Sequence, residues 1–317
     1  MVQTAITHPT RLDASGIFFL NMPYHKPQVV VIVGPNASGK SKLGVSLARR
    51  FRGEIISADS RQVYRGLTIG TGKIQKREMR GIPHHLLDIT NPRRQFSVIE
   101  FKKYAEKALS DIIQHGHTPI VVGGTGFWID TLIYNRTIPE VPPNETLRRS
   151  LAKKSADTLL ATLQKLDPKR ARTIEQKNPR RLIRAIEIAL SIGQVPKLQE
   201  SSPYKVLWIG IQLPRITHEK RIRLRLRSRI KAGMIDEAKQ LHKQGISWKR
   251  FHELGLEYRF LAEYLQKKIL KKEMMARLER ATRDYSRRQM TWFKRNKKIH
   301  WIRNDGEAER LVKSFLT

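Results

Sequence analysis

The chain contains no cysteine. Disulfides, Cys-based zinc sites and thiol catalysis are thereby excluded, and a reducing, cytoplasmic location is expected. No apolar run approaches the ~20 residues that a membrane-spanning helix needs, so no membrane partner is expected. Within the first two dozen residues the only apolar run is Ile17 to Leu20, without a small-residue cleavage pattern, which argues against a secretory signal. Residues 1–26 therefore read as a loose N-terminal extension, with Met22 an alternative start. Internal repeats and low-complexity tracts are absent too. Negative charge is scarce: 28 acidic residues face 62 lysines and arginines, for a formal charge of +34. Such an excess points to a polyanionic partner, nucleic acid by default, because neutralised phosphates release counterions. A host whose proteins are all basic is the bland alternative.

What is present is a globular chain of 317 residues, 39% hydrophobic, enough for one large domain or two unequal ones. The run QVVVIVG, Gln28 to Gly34, is apolar and β-branched, the pattern of a strand buried on both faces of a parallel sheet. Further strands are expected at Glu54–Ser60, His84–Ile89 and Pro119–Gly126, with a helix from about Ser97 to Gln114 between the last two. The proline-rich IPEVPPNE then opens a stretch of helical pattern to about Gly193, and Val206–Leu213 returns as a core strand. The fold class expected is α/β: a P-loop NTPase-like parallel sheet flanked by helices, with an inserted all-helical subdomain and a helical C-terminal region. The corresponding divisions are 27–137, 138–200 and 201–317. Two windows concentrate charge: Arg215–Lys231 has eight basic residues against one acidic, and Lys271–Lys298 has eleven against three.

GPNASGKS, comprising Gly34, Pro35, Asn36, Ala37, Ser38, Gly39, Lys40 and Ser41, matches the P-loop pattern in its required strand-to-helix context. The glycines let the backbone approach phosphate oxygens, Lys40 neutralises them, and Ser41 reaches a magnesium ion, all at a helix N-terminus that favours anions. ATP is the usual ligand of this pattern. An ATPase, however, also needs a strand ending in a magnesium-supporting aspartate, and the strand at Ile120–Val122 ends in Gly123-Gly124-Thr125. Asp59 does end a strand. It fits a magnesium support, a general base beside a diphosphate, or a plain cap or turn residue. Thr125 fits a donor to a leaving-group oxygen, or a helix cap, which spacing alone favours. Adjacent His84 and His85 point to opposite faces of a strand, so a structural role is expected. In NPRRLIRAIEIAL the apolar positions Leu182, Ile183, Ile186 and Leu190 are assigned to packing. Arg180, Arg181 and Arg184 then face outward, either solvated or on RNA phosphates. In RRQMTWFKR, Tyr285, Gln289 and Trp292 share a helical face, and Trp292 suits either base stacking or core.

Taken in order, GPNASGKS, EIISADSRQVYRGLTIGTGK, GIPHHLLDI, FSVIEF, VVGGTGFWI, NPRRLIRAIEI and RRQMTWFKR closely resemble the tRNA dimethylallyltransferases, over about Val29 to Arg295. The resemblance implies transfer of a dimethylallyl group from dimethylallyl diphosphate to N6 of the adenosine on the 3′ side of the anticodon. Carried over by motif, the P-loop with Mg2+ at Ser41 holds the diphosphate, Asp59 takes the amine proton, and Thr125 bonds near the bridging oxygen. One of Arg221 and Arg225 meets the diphosphate. Positions matching tRNA contacts are Asp59, Ser60, Arg61, Gln62, Thr125, Arg148, Arg180, Arg181, Arg184, Arg287, Arg288, Gln289, Trp292 and Lys294, with residues 138–200 as the anticodon-gripping subdomain. Family habit implies a monomer of the bacterial form, without a zinc finger, acting on tRNAs that read codons beginning with U. Two segments depart from the family wording. IGTGK with Ile74 stands where alanine and proline are common, and LGLEYRF, Leu254–Phe260, lacks the usual glycine-tyrosine-lysine. Two other readings remain at this point: a small-molecule or nucleotide kinase, and an RNA-binding protein with a degenerate P-loop.

Overall fold

The computed structural model describes residues 26–196 and 201–317. The proposed N-terminal extension, including Met22 and the Ile17–Leu20 run, lies almost wholly outside them. Six parallel strands form one sheet: β1 Gln28–Val33, β2 Gly53–Ala58, β3 His84–His85, β4 Thr118–Gly123, β5 Lys205–Ile211 and β6 Ile299–Ile302, in the order β3-β2-β4-β1-β5-β6. The helices interleaved with the first four strands are α1 Lys40–Arg50, α2 Lys76–Met79, α3 Val98–Gln114 and α4 Gly126–Ile133. Helices α5 Glu145–Leu151, α6 Ala156–Leu166, α7 Pro168–Thr173 and α8 Pro179–Ile192 follow before β5. After β5 come α9 Arg215–Lys231, α10 Met234–Lys243, α11 Trp248–Glu253, α12 Leu256–Leu265, α13 Lys271–Phe293 and, beyond β6, α14 Asp305–Leu316.

The continuous apolar reading of β1 is explained by burial on both sides. Val29, Val31 and Val33 enter one core with α3, α4 and the C-terminal helices, whereas Val30 and Ile32 enter the other with α1 and α14. Alternate side chains of a strand point to opposite faces, so a strand covered on both must be apolar throughout. Helices α5 to α8 have a third core of their own, built on Leu151, Leu159, Leu163, Leu182 and Ile186. Their starts are written locally: Asn144, Ser155, Asp167 and Asn178 each cap a helix through a side-chain oxygen, and Pro168 and Pro179 occupy first-turn positions.

Three expectations need correction. The strand expected over His84–Ile89 ends after His85, because Leu86 and Asp88 turn the chain away at positive φ of 65° and 56°. Leu190, assigned to packing, is 54% exposed, and Ala185 and Ala189 are the buried residues on that face of α8. The edge strand β6 was missed: IHWI is four residues long, follows a run of basic residues, and is identified only by its pairing with β5. Among the described residues no helix is long and apolar enough to cross a membrane.

Candidate active site

The carboxyl ends of β1, β2 and β4 open into a cleft of about 920 Å3 whose walls are supplied by α9, α11, α12, α13 and the start of α8. Ligands of open α/β sheets sit at this end, where strand order reverses and loops diverge. Asn36, Lys40, Ser41, Asp59, Thr125 and Arg225 line it, and so do Ser60, Arg61, Gln62, Arg148, Arg180, Arg288 and Gln289. Residues read from separate motifs are thus brought to one cavity.

Gly39 adopts a left-handed φ of 103° just before α1, which a side chain at that position would resist. The loop is braced from behind by distant helices. Gln289 of α13 accepts from the Asn36 amide at 2.9 Å and donates to Gly124 O at 2.9 Å. His218 of α9 bonds Asn36 O at 2.7 Å, and Arg221 donates to Ser38 O at 3.3 Å. Lys40 Nζ donates to Pro35 O at 2.7 Å. Burial, helped by the charge of Arg225 and opposed by Asp59, pulls the Lys40 ammonium down to about 7. A cation held in this way gains from any anion that enters beside it.

Asp59 follows β2 directly, and its Oδ1 accepts from Arg61 N at 2.9 Å, so the carboxylate is oriented by its own turn. Thr125 occupies the cap position of α4 without making the cap bond. Its hydroxyl accepts from Ser60 N at 3.1 Å, tying the end of β4 to the turn after β2. The cap expected from spacing is therefore present in position but not in bonding. Ser57, Asp59, Ser60 and Thr125 form one polar end wall.

Sequence reasoning missed the partners of α9. Arg221, Arg225 and Arg229, spaced by four, share one face of α9 and donate to backbone carbonyls: Ser38 O, Gly72 O at 3.1 Å, and Gly70 O and Thr71 O, both at 3.2 Å. The i, i+4, i+8 spacing was the available signal, since such residues share a helix face. Arg225 and Arg229 line the cleft, whereas Arg221 lies behind the P-loop. Glu237, also missed, accepts from the amides of Thr68, Ile69 and Gly70 at 3.0, 2.6 and 2.9 Å and from Tyr258 OH at 2.6 Å. The divergent LGLEYRF segment does reach the cleft, through Gly255, Leu256, Glu257 and Arg259.

The remaining arginines separate. Arg148 and Arg184 both bond the buried Glu187, at 2.8–2.9 Å and 2.5 Å, and each remains about one-third exposed. Arg181 pairs with Glu175 at 2.8 Å away from the cleft. Along α13, Tyr285, Arg288 and Gln289 face the cleft, while Arg287 and Lys294 line a second groove on the opposite side, with Pro35 and His218. Trp292 packs edge-on against Phe127 and donates to Asp130 Oδ2 at 3.1 Å. Its indole is committed to α4. His84 faces the cleft and bonds Ile82 O; His85 and His117 bond the two oxygens of Glu54 at 2.6 Å each. Among the described residues no group of three or more histidines and acids is placed to hold a metal ion.

A model of the IPP transferase family matches residues 62–296. The tRNA dimethylallyltransferase 1 of Geotalea uraniireducens is 43% identical over 295 residues, covering 91% of this chain and 96% of the relative. The tRNA dimethylallyltransferase of Anoxybacillus flavithermus is 39% identical, covering 91% and 95%. Among solved structures, the tRNA isopentenylpyrophosphate transferase of Bacillus halodurans superposes with a TM-score of 0.71 at 35% identity, covering 92% of this chain and 97% of that one. A eukaryotic dimethylallyltransferase acting on tRNA gives 0.70 at 28%, covering 84% and 70%.

Proposed function

The chain belongs to the IPP transferase family of tRNA dimethylallyltransferases, and on that premise we propose how its cleft moves a prenyl group onto tRNA. The enzyme is a prenyltransferase that transfers a dimethylallyl group to tRNA. The donor is dimethylallyl diphosphate, and the acceptor is N6 of the adenosine 3′-adjacent to the anticodon. The observation that carries this reading is the meeting of a P-loop with Asp59 and Thr125 in one basic cleft, which arginines from the helical insertion also line.

The diphosphate lies on the P-loop amides, with Lys40 and Arg225 as its cations. Arg225 is preferred to Arg221 because it faces the cleft. Among the described residues the site offers Ser41 and no cage of acids, a donor set that suits Mg2+, which keeps waters and substrate phosphate oxygens as most of its ligands. When bound, the ion adds positive charge on the leaving group. As the C–O bond of the donor breaks, the N6 lone pair forms the new C–N bond and the amine proton passes to Asp59. Stabilising the departing diphosphate lowers the barrier because the prenyl carbon is then cation-like. The adenosine has to leave its stack to reach this depth. Arg148 and Arg180 supply phosphate contacts at the mouth, and the helices α5 to α8 grip the anticodon arm.

The test is incubation with magnesium, dimethylallyl diphosphate and unmodified tRNA, followed by nucleoside digestion and mass spectrometry. N6-dimethylallyladenosine is expected. Unmodified adenosine together with ATP hydrolysis would return the kinase reading.

A further inference from the structure

The loop from Thr68 to Lys73 borders the cleft through Thr71 and takes its shape from helices on the far side of the chain. Glu237 collects three of its amides. The carbonyl side belongs to α9: Arg229 holds Gly70 O and Thr71 O, and Arg225 holds Gly72 O. Gly72 sits at φ 59°, and a Cβ there would overlap the Arg229 guanidinium and lie 2.6 Å from Arg225 Nη2. The missing side chain is thus the space into which the arginine pair fits.

The two guanidiniums are not equivalent. Arg229 gives one arm to Gly70 O and to Glu257 at 3.5 Å and the other to Thr71 O, so both terminal nitrogens are engaged with the protein, while its buried Nε has no partner among the described residues. Among the described residues Arg225 has the Gly72 carbonyl as its one hydrogen-bond partner, and it lines the cleft with N–H groups to spare. Two like charges side by side repel unless each finds a counter-charge. Glu257 bonds Arg229 directly, Arg225 feels Glu257 and Asp59 through space, and an anion in the cleft would add a direct counter-charge to Arg225.

We propose that Arg229, seated in the space Gly72 leaves open, is a positioning residue: by holding Gly70 O and Thr71 O it fixes the loop whose Gly72 carbonyl orients the Arg225 guanidinium toward the donor diphosphate. This rests on the reading of the cleft as the donor site.

The test measures inorganic diphosphate binding with Mg2+ by calorimetry for the wild type, Gly72→Ala, Arg229→Met and the double variant. Donor KM, kcat and tRNA affinity are measured alongside. Each single change is expected to weaken diphosphate binding about tenfold, and the double variant to match Arg229→Met within about twofold, the non-additivity of groups in contact. The backbone strain of alanine at positive φ persists in the double variant, so only relief of the overlap produces that match. Donor KM is expected to rise with kcat and tRNA affinity little changed. Losses that multiply in the double variant, or wild-type diphosphate binding by Arg229→Met, overturn the proposal. Should Gly72→Ala not fold, Arg229→Met decides alone: a raised donor KM with kcat held supports it, and an unchanged KM overturns it. A wild type that binds no diphosphate sinks the donor reading itself, and this inference with it, before any variant is compared.

Discussion

Gln289 and Asn36, 253 residues apart in sequence, are joined by a 2.9 Å hydrogen bond that fixes the back of the P-loop. The same Gln289 side chain donates to Gly124 O at 2.9 Å, so one buried amide connects the loops after β1 and β4. Gln289→Leu leaves one donor and one acceptor without partners and is expected to cost about 1–3 kcal/mol of stability. Urea unfolding reads this directly. A change under about 0.5 kcal/mol, the range of neutral surface substitutions, would show that the bridge is dispensable.

Asp59→Ala removes the proposed proton acceptor while leaving the P-loop and the arginines in place. Turnover is expected to fall by about 10²- to 10⁴-fold, the usual contribution of a general base. Affinity for tRNA, followed by fluorescence anisotropy, stays close to wild type. Near-normal rates would remove Asp59 from the reaction.

Lys40 is expected to link the proposed diphosphate binding to pH. With its ammonium pulled down to about 7, the side chain already carries its proton below that pH. Above it, an entering anion that raises the Lys40 value has to draw a proton from solvent, so affinity weakens as pH rises. Calorimetry at pH 8 in two buffers of different ionisation enthalpy should detect proton uptake in the wild type that Lys40→Met lacks. Equal uptake by both proteins would mean that Lys40 gains no proton on binding.

Glu187 organises the helical insertion by receiving Arg148, Arg184 and the Asn144 amide on one carboxylate that is 2% exposed. Burial pushes this carboxyl up, but the bonds from Arg148, Asn144 and Arg184 outweigh it and hold the group below its ordinary 4.5. A depressed carboxyl contributes stability in full above its unfolded value and loses it as pH falls through the folded one. The Glu187 contribution should therefore be present in full above about pH 4.5 and shrink progressively as pH falls below it. Glu187→Gln should cost about 2 kcal/mol, less than a fully buried pair because both arginines keep solvent contact. The tRNA affinity of this variant should fall as well, because the arginine at the cleft mouth loses its anchor. Unfolding curves at pH 7 and pH 4 that differ equally from wild type would contradict the assignment.

Much of the site is legible in the sequence alone. A P-loop needs its glycines, lysine and hydroxyl in consecutive positions, so Gly34 to Ser41 could be read in one line. The buried strands announced themselves through unbroken apolar runs, because both faces of the sheet are covered. The caps Asn144, Ser155, Asp167 and Asn178 are equally local, although they were not singled out from the sequence. Each such feature depends on neighbours within about four residues, and sequence records those neighbours directly.

The tertiary structure decided what arginines and polar side chains touch. Nothing near Gln289 in sequence points to Asn36, and nothing near Glu237 points to the amides of residues 68–70. The IGTGK departure has its physical account only in Arg229, 157 positions away from Gly72. Of the basic residues in RRQMTWFKR, tertiary packing set Arg288 on the cleft and Arg287 and Lys294 on the opposite groove. It turned Trp292 inward to Asp130 and made a strand of Ile299–Ile302 by setting it beside β5. Local pattern determined which elements form and which loop matches a phosphate-binding pattern. Long-range packing determined which charges remain free to act, because a guanidinium's partner is chosen by proximity in space and leaves no periodic trace along the chain.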